Sequence, residues 1–198
     1  EWEEVVGIDS PLESHEFIIN AQKPNDVNFE GYLFPDTYRF FEDATAEEIV
    51  TKLVETMQGH IQSSTIVAPP GWAMHDLLTL ASIIEREVRN PGEMAQVADI
   101  FLKRLEIGMA LQADSTVNYI TGKKTPGISL DDRDIDSPYN TYQYPGLPPG
   151  PISNPGLNAL KAGSIPASNL YFLTTPEGEV IYAETHDQHV TNKNIYLR

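Results

Sequence analysis

Residues 77–88 read LLTLASIIEREV, and their spacing sets the architecture of the chain around them. At about 100° per residue, Leu77, Val88, Ala81, Met74 and Leu78 fill one continuous apolar arc, extended by Leu80 and Ile84. This predicts a helix. Glu85 projects between Ala81 and Leu78, inside the arc, whereas Arg86, Arg89, Ser82, His75 and Thr79 form the polar side. A carboxyl group among apolar neighbours loses hydration, which favours its neutral form, the state a general acid needs. The competing reading is an ordinary helix glutamate paired with Arg89 one turn on. Glu87, at the edge of the arc between Leu80 and Ile83, is the weaker rival for the acid role.

Composition narrows the classes. With 198 residues, 40% of them hydrophobic, the chain suits one globular domain with an ample core. Fifteen prolines and thirteen glycines predict long ordered loops rather than a helical bundle. The net charge of −16, from 29 acidic and 13 basic residues, repels phosphate backbones and argues against nucleic acid as a partner. The absence of cysteine removes disulfides, thiolate zinc sites and cysteine nucleophiles without identifying a compartment. No apolar run is long enough to span a membrane, and no signal peptide is evident. The chain starts at Glu1 rather than methionine, so the expectation is an excised piece, with any anchor lying upstream.

Along the chain, residues 1–22 read as the tail of a preceding segment or a linker, and 23–198 as the domain proper. Thr45 and Glu48 form a capping box opening a helix with Ile49, Leu53, Met57 and Ile61 as its stripe. The helix bearing Glu85 is expected to end near Asn90-Pro91-Gly92. A third helix should then turn Met94, Val97, Ile100, Phe101 and Leu105 inward. Asp114 or Ser115 should cap a short helix. Asp132, Asp134 and Asp136 alternate as in a calcium loop. Ser137 and Gln143 stand where such a loop needs glycine and glutamate, so an exposed acidic loop is expected. Residues 146–156, GLPPGPISNPG, predict a rigid wall of extended and turn segments. A short helix, a β-hairpin turning at Pro176-Glu177-Gly178 and a helical C-terminus complete an α+β fold, with small antiparallel elements and long ordered loops.

Six stretches in order carry a resemblance: EGYLFPDTY at 30–38, LASIIEREV at 80–88, LQADSTVNY at 111–119, SPYNTY at 137–142, GLPPGPISNPG at 146–156 and YAETHDQH at 182–189. Together they resemble the catalytic region of the endolytic murein transglycosylases, the MltG or YceG-like family. The resemblance implies a bacterial cell-wall enzyme working on the extracytoplasmic face of the cytoplasmic membrane, held by an N-terminal anchor absent from this chain. It implies cleavage inside peptidoglycan glycan strands at the MurNAc–GlcNAc β-1,4 bond, leaving 1,6-anhydroMurNAc ends, with no cofactor and no metal. Cell-wall synthesis proteins are then candidate partners.

The family's catalytic glutamate corresponds to Glu85, the residue that helix phase also singles out. A single acid suffices because the C6 hydroxyl of the substrate serves as nucleophile, where hydrolases commonly need two carboxylates. Gln112, Asp114, Ser115 and Thr116 are candidate recognition groups, with capping and turn formation as the alternative for Asp114 and Ser115. Tyr139, Asn140 and Tyr142 are candidates to line a groove walled by Leu147 and Pro148. Glu30 is the second-choice carboxylate, with an arginine ion pair as the alternative. His189 matches a family histidine and reads as structural; with His186 it makes a poor metal site. A non-catalytic glycan-binding module is the rival reading. A pyridoxal-phosphate lyase is disfavoured, because none of Lys23, Lys52, Lys103, Lys123, Lys124, Lys161 or Lys193 lies beside a glycine-rich phosphate cradle.

Overall fold

The computed structural model describes residues 2–8, 10–123, 127–162 and 169–197. Its centre is the helix predicted around Glu85, here labelled α4 and spanning Met74–Glu87. Residues 77–84 are all buried, so α4 is covered on every side rather than along one stripe. His75, Thr79 and Ser82, on the polar side of the helix, are 6%, 1% and 0% exposed, so that side is covered as well. Helix phase placed them together, but another segment covers them. At the N-terminus of α4 the Asp76 carboxylate accepts from the Ala73 N–H at 2.8 Å, satisfying one free donor. The helix ends at Glu87, earlier than expected, because Val88 turns extended. Asn90 then caps the next helix by accepting from the Gly92 N–H at 2.8 Å, with Pro91 at its first position.

Helices pack around this axis. α1 (Trp2–Val6) and α2 (Glu16–Ala21) lie against α3 (Ala46–Ser63). The capping box of α3 forms as read, with the Thr45 N–H donating to Glu48 at 2.8 Å. Its buried stripe is Val50, Val54, Met57 and Ile61, so Ile49 and Leu53 give way to the residues one position on. Leu12, Phe17, Ile18 and Ala21 enter the same core as Phe29, Tyr32, Ile83 and Phe101, so residues 12–21 belong to the packed body. α5 (Pro91–Glu106) buries Met94, Val97, Ile100 and Phe101 as expected, and also Arg104.

The remaining elements are short. They are α6 (Asp114–Thr121), α7 (Leu130–Arg133), α8 (Leu157–Leu160), strands β1 (Tyr171–Thr174) and β2 (Val180–Ala183), and α9 (His186–Tyr196). The strands pair antiparallel from Tyr171 opposite Ala183 to Thr174 opposite Val180. The fold is thus α+β, with one small sheet among the described residues. The acidic loop is less exposed than read: Asp132 is buried, caps α7 through Ser129 and binds Lys123 Nζ at 2.7 Å. That ammonium group and the Ser129 donors hold its carboxyl at about 2. Among the described residues no helix is long and apolar enough to cross a membrane.

Candidate functional site

What covers the polar side of α4 is the proline-rich segment 146–156. His75 Nε2 meets the Pro149 carbonyl at 2.8 Å, while its Nδ1 lies 2.7 Å from the Tyr32 hydroxyl. A carbonyl only accepts, so Nε2 carries the hydrogen and Tyr32 donates to Nδ1. Two turns on, Ser82 Oγ accepts from the Ile152 N–H at 3.0 Å and donates to the Thr79 carbonyl at 2.7 Å. Ser153 Oγ donates to the Ser82 carbonyl at 2.9 Å. The last rung is Glu85, whose Oε2 accepts from the Gly156 N–H at 3.0 Å. His75, Ser82 and Glu85 thus supply polar partners to the backbone of the 146–156 segment.

The same segment is tied to residues 30–38. Asn154 Oδ1 accepts from the N–H groups of Gly31 (2.7 Å) and Leu33 (3.2 Å). Gly31 adopts φ +87°, and a Cβ there would sit 2.3 Å from Pro151 carbons, so the two strands of chain touch backbone to ring. Three of the motifs that carry the resemblance therefore meet along α4.

On the other flank of α4 the 111–119 and 137–142 stretches are sewn together. The Gln112 N–H donates to the Thr141 carbonyl at 3.0 Å and the Ala113 N–H to Thr141 Oγ1 at 3.0 Å. Tyr142 donates to Asp114 Oδ1, while the Arg133 guanidinium lies 4.9 Å from the Tyr142 ring centre. Burial and the Asp114 charge push the Tyr142 phenol up. α6 has no side-chain cap of its own. Instead Ser115, its second residue, donates through Oγ at 2.6 Å and through its N–H at 3.4 Å to Glu87 Oε1. This corrects the expectation that Asp114 or Ser115 caps the helix. Burial raises the Glu87 carboxyl, with the Asp114 charge adding to it and Ser115 opposing it.

The predicted residues fall into two groups. Thr116 and Asn140 are fully buried. Thr116 Oγ1 bonds the Ala113 carbonyl and Thr141, and Asn140 Nδ2 donates to the carbonyls of Arg133 and Ile135, so both hold the loops together. Pro148 is buried and Leu147 packs partly on the core. Gln112 is exposed and holds φ +50°, a strained value for a residue with a side chain. Asp114, Tyr139 and Tyr142 keep partial exposure, and Ser115 is buried against Glu87. Tyr139 lies 5.1 Å from Tyr119, ring centre to ring centre, and burial pushes its phenol up to about 12, with Tyr119, Asp26 and Glu30 contributing. Glu30 is half-buried and raised by desolvation, which the Arg86 charge counters. Glu85 keeps part of its side chain in solvent. Two open surface hollows lie away from Glu85, lined by residues that include Phe41, Glu48 and Lys52 at the start of α3.

Sequence reasoning missed Arg104, Thr141 and the role of Glu87. Arg104 donates to the carbonyls of Leu111 (2.5 Å) and Leu170 (2.8 Å) and lies 5.2 Å from the Tyr171 ring centre. His186 and His189 pack on that ring, at 5.9 and 5.3 Å. The 182–189 motif thus reaches the 111–119 stretch through Arg104. Arg104 follows the apolar Ile100 and Phe101 on α5, a placement that could have marked it as inward-facing.

Known proteins are similar to this chain in sequence and in fold. The YceG-like family model matches residues 3–195. An endolytic murein transglycosylase of Bacillus subtilis is 37% identical over 172 residues, covering 85% of this chain and 48% of the relative. One from Streptococcus pneumoniae is 36% identical over 173 residues, 82% of this chain and 31% of the relative. This chain therefore spans about half, or less, of the length of those two relatives. A crystal structure of a YceG-like protein from Listeria monocytogenes superposes with a TM-score of 0.78 at 30% identity, covering 96% of this chain and 66% of that one. On its sequence from residue 3 to 195 and on its fold, the chain belongs to the YceG-like family.

Proposed function

We propose that this chain is the glycan-cleaving part of an endolytic murein transglycosylase, with Glu85 as its general acid and base. The observation that carries the reading is the placement of Glu85. It stands on the last turn of α4, half-buried, with one oxygen fixed by the Gly156 N–H and motif residues of the 146–156 and 111–119 stretches on either flank. Its second oxygen, Oε1, makes no hydrogen bond to another described residue.

The chemistry follows from that arrangement. Glu85 donates its proton to the glycosidic oxygen between MurNAc and GlcNAc as the C1–O bond breaks and the GlcNAc hydroxyl leaves. The resulting carboxylate takes the proton from the C6 hydroxyl of MurNAc, whose oxygen closes on C1 to give the 1,6-anhydro ring. The acid is regenerated and no water is consumed. Intramolecular attack replaces the second carboxylate that hydrolysis commonly requires. The exposed Gln112 and the partly exposed Asp114, Tyr139 and Tyr142 offer polar and aromatic surface for sugar hydroxyls and N-acetyl groups. Glu30 and Arg86 add opposite charges beside it. In the cell the substrate would be peptidoglycan on the extracytoplasmic side of the membrane.

Incubating purified glycan strands with the wild type and with Glu85→Gln, then analysing the products by mass spectrometry, tests the reading. The wild type should release anhydro-ended fragments and the variant at least a hundredfold fewer, as expected for loss of proton transfer (about 10²–10⁴-fold). Equal release by both removes Glu85 from the mechanism. Strand binding without cleavage would favour a glycan-binding module.

A further inference from the structure

We propose that Glu87 is a positioning residue: its carboxyl clamps Ser115 and so holds the start of α6, with the Gln112–Ser115 stretch, in register with Glu85. Glu85 and Glu87 lie two positions apart on α4, about 200° around the helix, and therefore face different partners. Glu85 holds the 146–156 segment through Gly156, and Glu87 holds α6 through Ser115. The last turn of α4 is thus the piece through which both flanks are set relative to one another.

Three observations support a positioning role over chance packing. α6 lacks a cap of its own: its N-cap is Ala113, and Glu87 takes that part from another helix, accepting from the hydroxyl and the N–H of one residue. Two residues upstream, Gln112 holds a left-handed backbone, a conformation that persists only where surrounding contacts fix it. The Gln112 and Ala113 N–H groups bind Thr141, so the clamp also restrains the 137–142 stretch, where Tyr142 binds Asp114. Charged or titratable groups face Glu87 from three elements, Asp114 on α6, Arg104 on α5 and Tyr142 in the loop. Asp114 disfavours the charged carboxylate and Arg104 favours it.

The kinetic arm of the test rests on the proposed glycan cleavage; a second arm does not. Glu87→Ala and Ser115→Ala should each lower kcat about tenfold to a hundredfold, the scale of a misplaced constellation. The double variant should fall no further than the worse single, because both remove one interaction. Glu87→Gln keeps an acceptor oxygen for the Ser115 hydroxyl and should stay within threefold of wild type. Independently of activity, hydrogen exchange of amides 113–117 should accelerate in Glu87→Ala and Ser115→Ala but not in Glu87→Gln. Additive losses in the double variant, or exchange at 113–117 unchanged in both alanine variants, would overturn the proposal. Should the wild type cleave no glycan, the proposed function falls, and the exchange measurement still decides whether the clamp exists.

Discussion

Gly31 and Gly71 offer a matched pair of substitutions. Both hold nearly the same left-handed backbone, φ +87° and +86°. They differ in surroundings: a Cβ at Gly71 meets nothing within 4 Å, whereas at Gly31 it would fall 2.3 Å from both Cβ and Cγ of Pro151. Gly71→Ala should therefore cost only the left-handed strain, about 1 kcal/mol. Gly31→Ala adds overlap of more than an ångström with a ring that cannot rotate away, in a segment pinned by Asn154 and Ser82. Overpacking of that kind costs about 1–3 kcal/mol more. For a chain of this size each kcal/mol moves Tm by about 2–4 °C, so the gap between the variants should be several degrees. Calorimetry with urea titration reads both. If Gly31→Ala melts with Gly71→Ala, the 146–156 segment is not held where the structure puts it, and the rungs along α4 lose their meaning.

Ser82→Ala should destabilise by about 1–3 kcal/mol, measured by urea unfolding, because it strands the buried Ile152 N–H without an acceptor. It should also slow the proposed glycan cleavage, because Gly156, four residues on, would no longer be held against Glu85. His75 gives a pH dependence: burial lowers its folded-state pKa, with the Pro149 contact opposing. The unfolded chain therefore binds a proton that the folded one resists, and stability should fall as pH drops below about 6.5. That slope should shrink in His75→Gln. An equal slope in both proteins, followed by urea midpoints between pH 7.5 and 5.5, would refute the Pro149–His75–Tyr32 strut.

Legibility followed the range of the forces involved. The capping box at Thr45, the hairpin turn at Pro176-Glu177-Gly178 and the helix carrying Glu85 rest on neighbours a few residues apart, and the sequence displays them directly. The burial of polar residues was not legible for the opposite reason. His75, Thr79 and Ser82 share one helical face, and periodicity marks that face as polar without saying whether water or another segment meets it. The Ser82–Ile152 bond joins residues 70 apart. The Glu87 clamp was invisible likewise, since an absent cap at Ala113 can be filled by any acceptor the fold brings near. At Thr116 and Asn140, residue type suggested ligand contact. Their burial assigns those hydrogen bonds to the protein itself.

The bond from Gly156 to Glu85 spans 71 residues. α4 can wind and collapse against its neighbours while the partner of its glutamate is still far down the chain. Non-local pairings of this kind close only after a large loop entropy has been overcome. Under the proposed function, a nascent or partly folded chain would hold its core before the Glu85 carboxyl is fixed, and cleavage would begin only as the last proline-rich stretch locks down.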